Sequence, residues 1–192
     1  MTAKKVAPTT TFSLPGLHFN SPAILTFSIA AIAVHFLSFD NALAVPGRGG
    51  FHLNSISDYF RLLTHVLGHG SWEHLFSNLT LLLLLGPILE DRYGTQGISI
   101  MMLVTALITG IANILLSPHH LYGASGIVFM FITLSSFVNI RNGTIPLTFI
   151  LIAIIFIGKE IHSAISVKDN ISQLAHIVGG IVGAWMGFRG KQ

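Results

Sequence analysis

Ser125 lies in the sequence Gly123-Ala124-Ser125-Gly126, and His176 follows further along the chain. A serine hydroxyl becomes nucleophilic near neutral pH when an imidazole accepts its proton, so this pair predicts nucleophilic serine chemistry. Gly123 can take a positive φ, and Gly126 lets a substrate or a neighbouring helix approach the backbone closely. The same residues would also fit purely structural roles, with Ser125 capping the start of a helix and His176 a hydrogen-bonded packing residue.

His74 and Asn78 form a second polar pair. Their spacing of four residues places them on one face of a helix, and both side chains can donate hydrogen bonds. Together with the backbone N–H of Ser125 they suit an oxyanion hole, which stabilises the charge that develops on an attacked carbonyl oxygen. Alternatively, the two side chains bond each other between helices.

The sequence around His176 carries small residues at every fourth position: Ala175, Gly179, Gly183 and Gly187. Such a face allows another helix to come very close, and Gly180 extends it. We therefore expect this helix to pack on the helix that begins at Ser125, within hydrogen-bonding reach of the hydroxyl. Because no acidic residue is placed to orient His176, the arrangement predicts a Ser–His dyad without a third member.

The elements that must position these residues are apolar. Of the 192 residues only 9% are charged and 52% are hydrophobic, which is typical of a membrane protein. Six apolar segments predict six transmembrane helices: Ala23 to Phe39, Leu75 to Leu89, Ile98 to Leu116, Ala124 to Ile140, Ile145 to Ile157 and Ile171 to Phe188. The second, fourth and sixth helices run in the same direction, so their polar residues should lie at one depth, facing the bundle interior.

The distribution of charge predicts one membrane domain. We expect a cytoplasmic N-terminal segment over 1–21, a single membrane domain over 22–190, and a long first extracytoplasmic loop over 41–73 that is partly interfacial. With both termini cytoplasmic, six Lys and Arg lie inside and four outside, which favours this orientation. The net charge of +3 comes from scattered residues, so nucleic acid is not an expected partner.

A metal site is not expected. His65 and His69 have the spacing of zinc ligands on a helix and precede His74, but position 66 is valine where a helical zinc protease needs glutamate. The chain has no cysteine, which excludes a thiolate nucleophile and Cys-based metal sites. We expect His65 and His69 to structure the loop. Tyr122 lines a pocket or belongs to an interfacial aromatic belt.

Several motifs, in order, resemble the rhomboid intramembrane proteases over about Tyr59 to Gly187. The His74-x-x-x-Asn78 pair resembles the family's second-helix motif, and the segment from Gly86 to Gly94, with Glu90 between them, resembles its Gly-x-x-x-Glu-x-x-x-Gly element. The sequences Gly123-Ala124-Ser125-Gly126 and Ala175-His176-x-x-Gly179, followed by Gly183, resemble the motifs of the nucleophile and the catalytic histidine.

The resemblance implies an all-α polytopic membrane fold, a six-helix rhomboid bundle. It implies a serine endopeptidase that uses no metal or cofactor and cleaves helix-destabilised transmembrane or juxtamembrane segments of membrane proteins in the lipid bilayer. A bacterial cytoplasmic membrane is the expected location. Ser125 and His176 would be catalytic, and His74, Asn78 and Ser125 would form the oxyanion hole. The supporting positions would be Gly123, Ala124, Gly126, Phe129, Gly179, Gly183, Arg61, Glu90 and Arg92.

The chain departs from the family pattern at two positions. Phe129 stands where the family commonly has a tyrosine stacked on the catalytic histidine, so the ring is kept and the hydroxyl is lost. Phe60-Arg61 stands where the family has Trp-Arg, while Glu90 and Arg92 are expected to act structurally near the cytoplasmic end.

Two other functions are compatible with the sequence. In a transporter or channel, the polar residues would line a path for protons or solutes, although no internal repeat of the kind found in many transporters is present. An inactive relative would bind membrane proteins without cleaving them.

Overall fold

A computed structural model describes residues 20–138 and 173–189, together with helical positions 147, 150, 151, 154, 155 and 158. The described residues are mostly helical, and the β-pairing among them is one isolated antiparallel bridge between Val45 and Leu121. Most of the predicted fifth helix and of the N-terminal segment lies outside the described residues.

Six α-helices and one 3₁₀ turn make up the described fold. They are α1 (Pro22–Phe36), α2 (Asp40–Leu43), α3 (Ile56–Thr64), the 3₁₀ turn (His65–Leu67), α4 (Trp72–Leu116), α5 (Ser125–Val138) and α6 (Gln173–Arg189). Helices α1, α5 and α6 correspond to the predicted first, fourth and sixth apolar segments. The predicted long first loop contains α3 and the 3₁₀ turn, so much of it is helical.

The predicted second and third segments are joined as one helical element, α4. At Gly94 the backbone leaves helical geometry, with φ 73° and ψ 158°. That left-handed φ favours glycine, and it divides α4 into arms over residues 72–93 and 95–116. The connection expected between two separate helices is therefore a break at a single residue.

By length and composition, α4 is the one described helix that could cross a membrane, while α1 and Ser125–Ser136 are apolar but shorter. Helix α5 lies innermost, packed between α4 and α6, and α1 packs on α4. The core that surrounds α5 is formed by large side chains that are almost fully buried, among them Phe131, Leu75, Leu82, Leu89, Ile98, Ile127, Met130 and Leu134.

Glu90 caps the start of α1 from the first arm of α4. Its buried carboxylate accepts hydrogen bonds from the backbone N–H groups of Ala23 at 2.9 Å and Ile24 at 3.1 Å. The hydroxyl of Thr95 donates a third at 2.7 Å. A negative charge at a helix N-terminus satisfies free N–H groups and complements the helix dipole, so this residue fixes α1 on α4. Arg92 lies exposed beside the ring of Tyr93.

We expect Glu90→Gln to destabilise the protein by about 1.5–3 kcal/mol, because the amide nitrogen cannot accept and the charge at the helix start is lost. The melting temperature in detergent micelles measures this. Asp91→Asn also replaces a carboxylate by an amide, at the exposed neighbouring residue. It is the control and should leave the melting temperature unchanged. Equal melting temperatures for the two variants would contradict the capping role.

Asp58 and Arg61 organise the first loop. The Asp58 carboxylate accepts the backbone N–H of His52 at 2.9 Å and a guanidinium N–H of Arg61 at 2.8 Å. The His52 N–H and the Arg61 charge lower the pKa of Asp58, so the carboxylate stays ionised. Arg61 also donates to the carbonyl of Ala42 at 3.0 Å, which ties α3 to α2. The side chain of Phe60 is exposed.

Candidate active site

Ser125 is the first residue of α5, and the chain segment before it is held at three points. We call residues 121–124 the serine loop. Leu121 exchanges two backbone hydrogen bonds of 2.9 Å with Val45, and the N–H of Gly123 donates to the carbonyl of His65 at 3.0 Å. The N–H of Ala124 donates to Nε2 of His69 at 3.4 Å. These bonds fix the direction in which α5, and with it Ser125, begins.

Gly123 takes a backbone conformation that favours glycine, with φ 132°. A β-carbon built at Gly123 would lie 3.0 Å from Cε1 and 3.4 Å from Nε2 of His74. Glycine is therefore required here both by the backbone and by the imidazole that lies against it. The contact brings His74, at the start of α4, beside the serine loop.

His65 and His69 support the serine loop, His65 through its backbone carbonyl and His69 through its ring. Both are buried, and each donates its Nδ1–H to a nearby carbonyl, His65 to Arg61 at 3.0 Å and His69 to Leu67 at 3.2 Å. Nε2 of His69 accepts from Ala124, which requires a neutral ring. Burial lowers the pKa of both imidazoles to about 4, and the neighbouring His74 adds to the effect at His69.

These low values predict acid destabilisation. In the unfolded chain each imidazole takes up its proton near pH 6.5, but in the folded protein only near pH 4. Proton binding therefore favours unfolding as the pH falls through this window, and each histidine should remove about 3 kcal/mol of stability. Melting temperatures between pH 7.5 and 4.5 measure the loss. His69→Gln, which does not titrate, should reduce the slope by about half; an unchanged slope would contradict the assignment.

Asn78 lies one turn after His74 on α4 and is buried. Among the residues that the structure describes, its amide nitrogen has no hydrogen-bond acceptor. An unsatisfied buried donor is costly, about 1–3 kcal/mol, so its presence in a fold calls for a functional explanation. The ring of His74 is half-buried and lies edge-on to that of His69, with 5.1 Å between centroids.

The starts of α5 and α6 meet beside Ser125 and His176. A β-carbon built on Gly126, the residue after Ser125, would lie 3.3 Å from the carbonyl oxygen of Ala175, the residue before His176. One turn further, the ring of Phe129 stacks on the buried imidazole of His176, with 4.4 Å between centroids and 7° between planes. The side chains of Ser125 and His176 thus project from helix turns that are in contact.

Glycines on α6 make this approach close. A β-carbon on Gly179 would overlap the carbonyl oxygen of Gly126, and one on Gly183 would lie 2.5 Å from that of Met130. The expected packing of α6 on α5 is observed. Gly180, also expected on this surface, faces α5 less closely, because a β-carbon there would be in ordinary contact, 3.5 Å from the Thr133 hydroxyl oxygen. The closest approach is at Gly179 and Gly183, four residues apart.

Two residues without a role predicted from the sequence support the site. Asp40 binds the backbone N–H of His69 at 2.7 Å, and Thr109 packs its methyl group against Gly126 from the second arm of α4. Thr109 also lies 3.5 Å from Nε2 of His65. The sequence could have indicated Thr109, because Thr105, Thr109 and Asn113 lie four residues apart and form a polar stripe in an otherwise apolar segment. No pattern in the sequence indicates Asp40.

A cavity of about 410 Å³ lies beside the serine loop. It is lined by Asn41, Ala44, Pro118, His119, His120 and Tyr122. Tyr122 lines this cavity together with residues near the start of the first loop and after α4. In the described part of the chain, no group of three or more His, Cys, Asp or Glu side chains is arranged to hold a metal ion.

Comparison with known proteins identifies relatives along most of the chain. The Rhomboid domain matches residues 57–191. Rhomboid protease GluP of Bacillus subtilis is 29% identical over 173 residues, which are 83% of this chain and 34% of that protein. Rhomboid-like protein 11, chloroplastic, of Arabidopsis thaliana is 24% identical over 82% of this chain and 62% of that protein. Rhomboid protease GlpG of Pectobacterium atrosepticum is 27% identical over 87% of this chain and 62% of that protein.

The chain spans less than two thirds of the length of each of these relatives. The matched domain covers more than half of the chain and includes Ser125, His176, His74 and Asn78. The resemblance drawn from the ordered motifs is therefore confirmed, and the chain belongs to the rhomboid family, whose members are embedded in membranes.

Proposed function

We propose that the protein is an intramembrane serine endopeptidase that cleaves transmembrane or juxtamembrane segments of membrane proteins. Two of the relatives are named rhomboid proteases, which supports proteolysis as the activity. The observation that carries the proposal is the contact between the first turns of α5 and α6, where Gly126 meets Ala175 and Phe129 stacks on His176. A nucleophile and its base need such proximity.

In the proposed reaction, the Ser125 hydroxyl oxygen attacks the carbonyl carbon of the scissile peptide bond while His176 takes the hydroxyl proton. The tetrahedral intermediate collapses, the C–N bond breaks, and His176 gives its proton to the leaving amine. Water then attacks the ester on Ser125 while His176 takes a proton from it. The ester C–O bond breaks, His176 returns the proton to the Ser125 oxygen, and the amino-terminal fragment leaves with a new carboxylate. The stacked Phe129 fixes the plane of the imidazole, so that one nitrogen can be aimed at the hydroxyl.

The oxyanion would be stabilised from the side of α4. The unsatisfied amide donor of Asn78 and the ring of His74 beside Gly123 both lie near the start of that helix. The backbone N–H of Ser125, at the N-terminus of α5, adds a third donor and the positive end of the helix dipole. The first helical hydrogen bond of α5 is accepted by the carbonyl of Ala124, so Ser125 is the first helical residue and its hydroxyl need not serve as the cap.

A membrane setting is supported by the outer surface of the bundle. Large apolar side chains are exposed around it, among them Ile29, Phe36, Leu84, Leu103, Leu115, Ile177 and Ile181. An apolar surface of this extent is not stable in water but suits lipid. We propose a six-helix polytopic arrangement with both termini cytoplasmic and a bacterial cytoplasmic membrane as location. Substrates would carry Gly, Pro or polar residues that make local unwinding of a helix easier.

Cleavage of a reconstituted substrate tests the function. Purified protein in liposomes is incubated with a transmembrane peptide that contains a Gly-Pro break, and with the same peptide carrying leucines there. We expect cleavage of the first by the wild type and none by Ser125→Ala or His176→Ala. An inactive relative would cleave neither peptide, and cleavage by Ser125→Ala would assign the activity to another residue or a contaminant.

A further inference from the structure

Asp40 links three segments that approach the serine loop. It is the first residue of α2, the short helix that follows α1. One carboxylate oxygen, Oδ1, accepts the backbone N–H of His69 at 2.7 Å, and the other, Oδ2, lies 3.0 Å from Nδ1 of His35 near the end of α1. The side chains of Asp40 and His35 are 14% and 11% exposed, so this pair is largely shielded from solvent.

His69 connects Asp40 to the residues of the proposed oxyanion hole. Its backbone is held by Asp40, while Nε2 of its ring accepts the N–H of Ala124 at 3.4 Å. The same ring lies edge-on to His74, 5.1 Å away with 71° between planes. His69 therefore contacts both the N–H of Ala124, the residue before Ser125, and the ring of His74, a proposed oxyanion donor.

The backbone just before His69 leaves little room for adjustment. A β-carbon built on the preceding residue, Gly68, would lie 3.0 Å from the Asp40 carbonyl oxygen and 3.4 Å from Cβ of Tyr122. The segment is thus enclosed between the start of α2 and the serine loop. If the Asp40 carboxylate were removed, the His69 N–H would lose its partner in this enclosed position, and the ring would shift with its backbone.

We infer that Asp40 is a positioning residue for the oxyanion hole: through His69 it sets the direction of the Ser125 backbone N–H and the place of the His74 ring. The inference rests on the proposed function. A bond to the Ala124 N–H restricts rotation about the adjoining backbone, and thereby orients the next peptide group, which carries the Ser125 N–H. Donors in an oxyanion hole act only when they point at the charge that forms in the transition state, so small displacements lower the turnover rate.

The effect should appear in turnover and not in substrate binding. Asp40→Ala should lower kcat about 10-fold with KM nearly unchanged, because oxyanion contacts form only in the transition state. Asp40→Asn keeps an oxygen that can accept the His69 N–H and should recover most of the activity. The rate at which a fluorophosphonate labels Ser125 should fall in parallel with kcat, since that reaction also places a charged oxygen in the hole but requires no transmembrane substrate.

Asp58→Ala is the matched control. It removes a buried carboxylate from the first loop, one whose hydrogen bonds go to His52 and Arg61. Both alanine variants should lower the melting temperature, and only Asp40→Ala should lower kcat when both are assayed well below their melting temperatures. If Asp40→Ala does not fold, Asp40→Glu, which keeps the charge but moves the oxygens by one methylene, should show the same selective loss of kcat.

Unchanged kcat in folded Asp40→Ala or Asp40→Glu, or an equal loss in Asp58→Ala, would overturn the inference. A wild-type protein that neither cleaves substrate nor reacts with the fluorophosphonate at Ser125 would instead overturn the proposed function. The two failures are therefore distinguishable in one set of measurements.

Discussion

Gly179→Ala should abolish activity and lower the melting temperature by about 10 °C, while Gly180→Ala, the same change one residue later, should be tolerated. A methyl group on Gly179 would overlap the carbonyl oxygen of Gly126, and a backbone atom in a helix cannot move aside cheaply. Overpacking against a backbone atom should cost about 3 kcal/mol, at the upper end of the usual range, which corresponds to such a shift in a protein of this size. The helices would also separate between Ser125 and His176.

Gly180→Ala provides the internal control. A β-carbon there would have an ordinary contact with the Thr133 hydroxyl, and alanine favours a helix over glycine by about 1 kcal/mol. We therefore expect equal or higher stability and normal cleavage. Thermal melting and cleavage assays of Gly179→Ala and Gly180→Ala, in the same detergent, measure these two effects. Similar behaviour of the two variants would show that the helices do not approach as the structure describes.

Asn78→Leu should lower kcat by about 10²–10³-fold without lowering stability. Removing one oxyanion donor costs about 2.7–4 kcal/mol of transition-state stabilisation. The Asn78 amide nitrogen has no acceptor among the described residues, so it is free to donate to the substrate oxygen. In the resting protein, the substitution removes a buried amide nitrogen that has no acceptor in the described part of the chain, so no hydrogen bond of that nitrogen to the described residues is lost. Activity and stability are thus expected to respond independently.

Asn113→Leu is the comparison for this second prediction. Asn113 is also buried on α4, but its amide donates to the carbonyl oxygens of Pro46 at 3.2 Å and His119 at 3.0 Å. Its replacement leaves two acceptors unsatisfied and should lower the melting temperature. A loss of stability in Asn78→Leu equal to that in Asn113→Leu, with kcat preserved, would show that Asn78 is a structural residue.

Features that depend on local spacing could be predicted from the sequence. The apolar segments gave the places of α1, α5 and α6, because a helix must bury or embed a continuous apolar stretch. The four-residue spacing of Gly179 and Gly183 predicted the close face of α6. Gly180 also faces α5, but a β-carbon there would be in ordinary contact with Thr133, so the spacing predicted the face and not how closely each glycine approaches α5.

Features that depend on distant contacts could not be predicted. Glu90 was expected near the cytoplasmic end from resemblance, but nothing in its neighbourhood identifies the start of α1 as its partner, 66 residues earlier. Asp40 is separated from His69 by 29 residues, and its bond is to a backbone N–H that every residue type except proline carries. The break at Gly94 was also missed, because a glycine between two apolar segments fits a loop equally well.

The central claim is that Ser125 is a nucleophile activated by His176, and the most direct test is to locate a fluorophosphonate adduct by mass spectrometry of the intact protein and its peptides. We predict one adduct, on Ser125, formed slowly in His176→Ala and absent in Ser125→Ala. An adduct on another serine, or labelling of the wild type at the rate of His176→Ala, would contradict the claim.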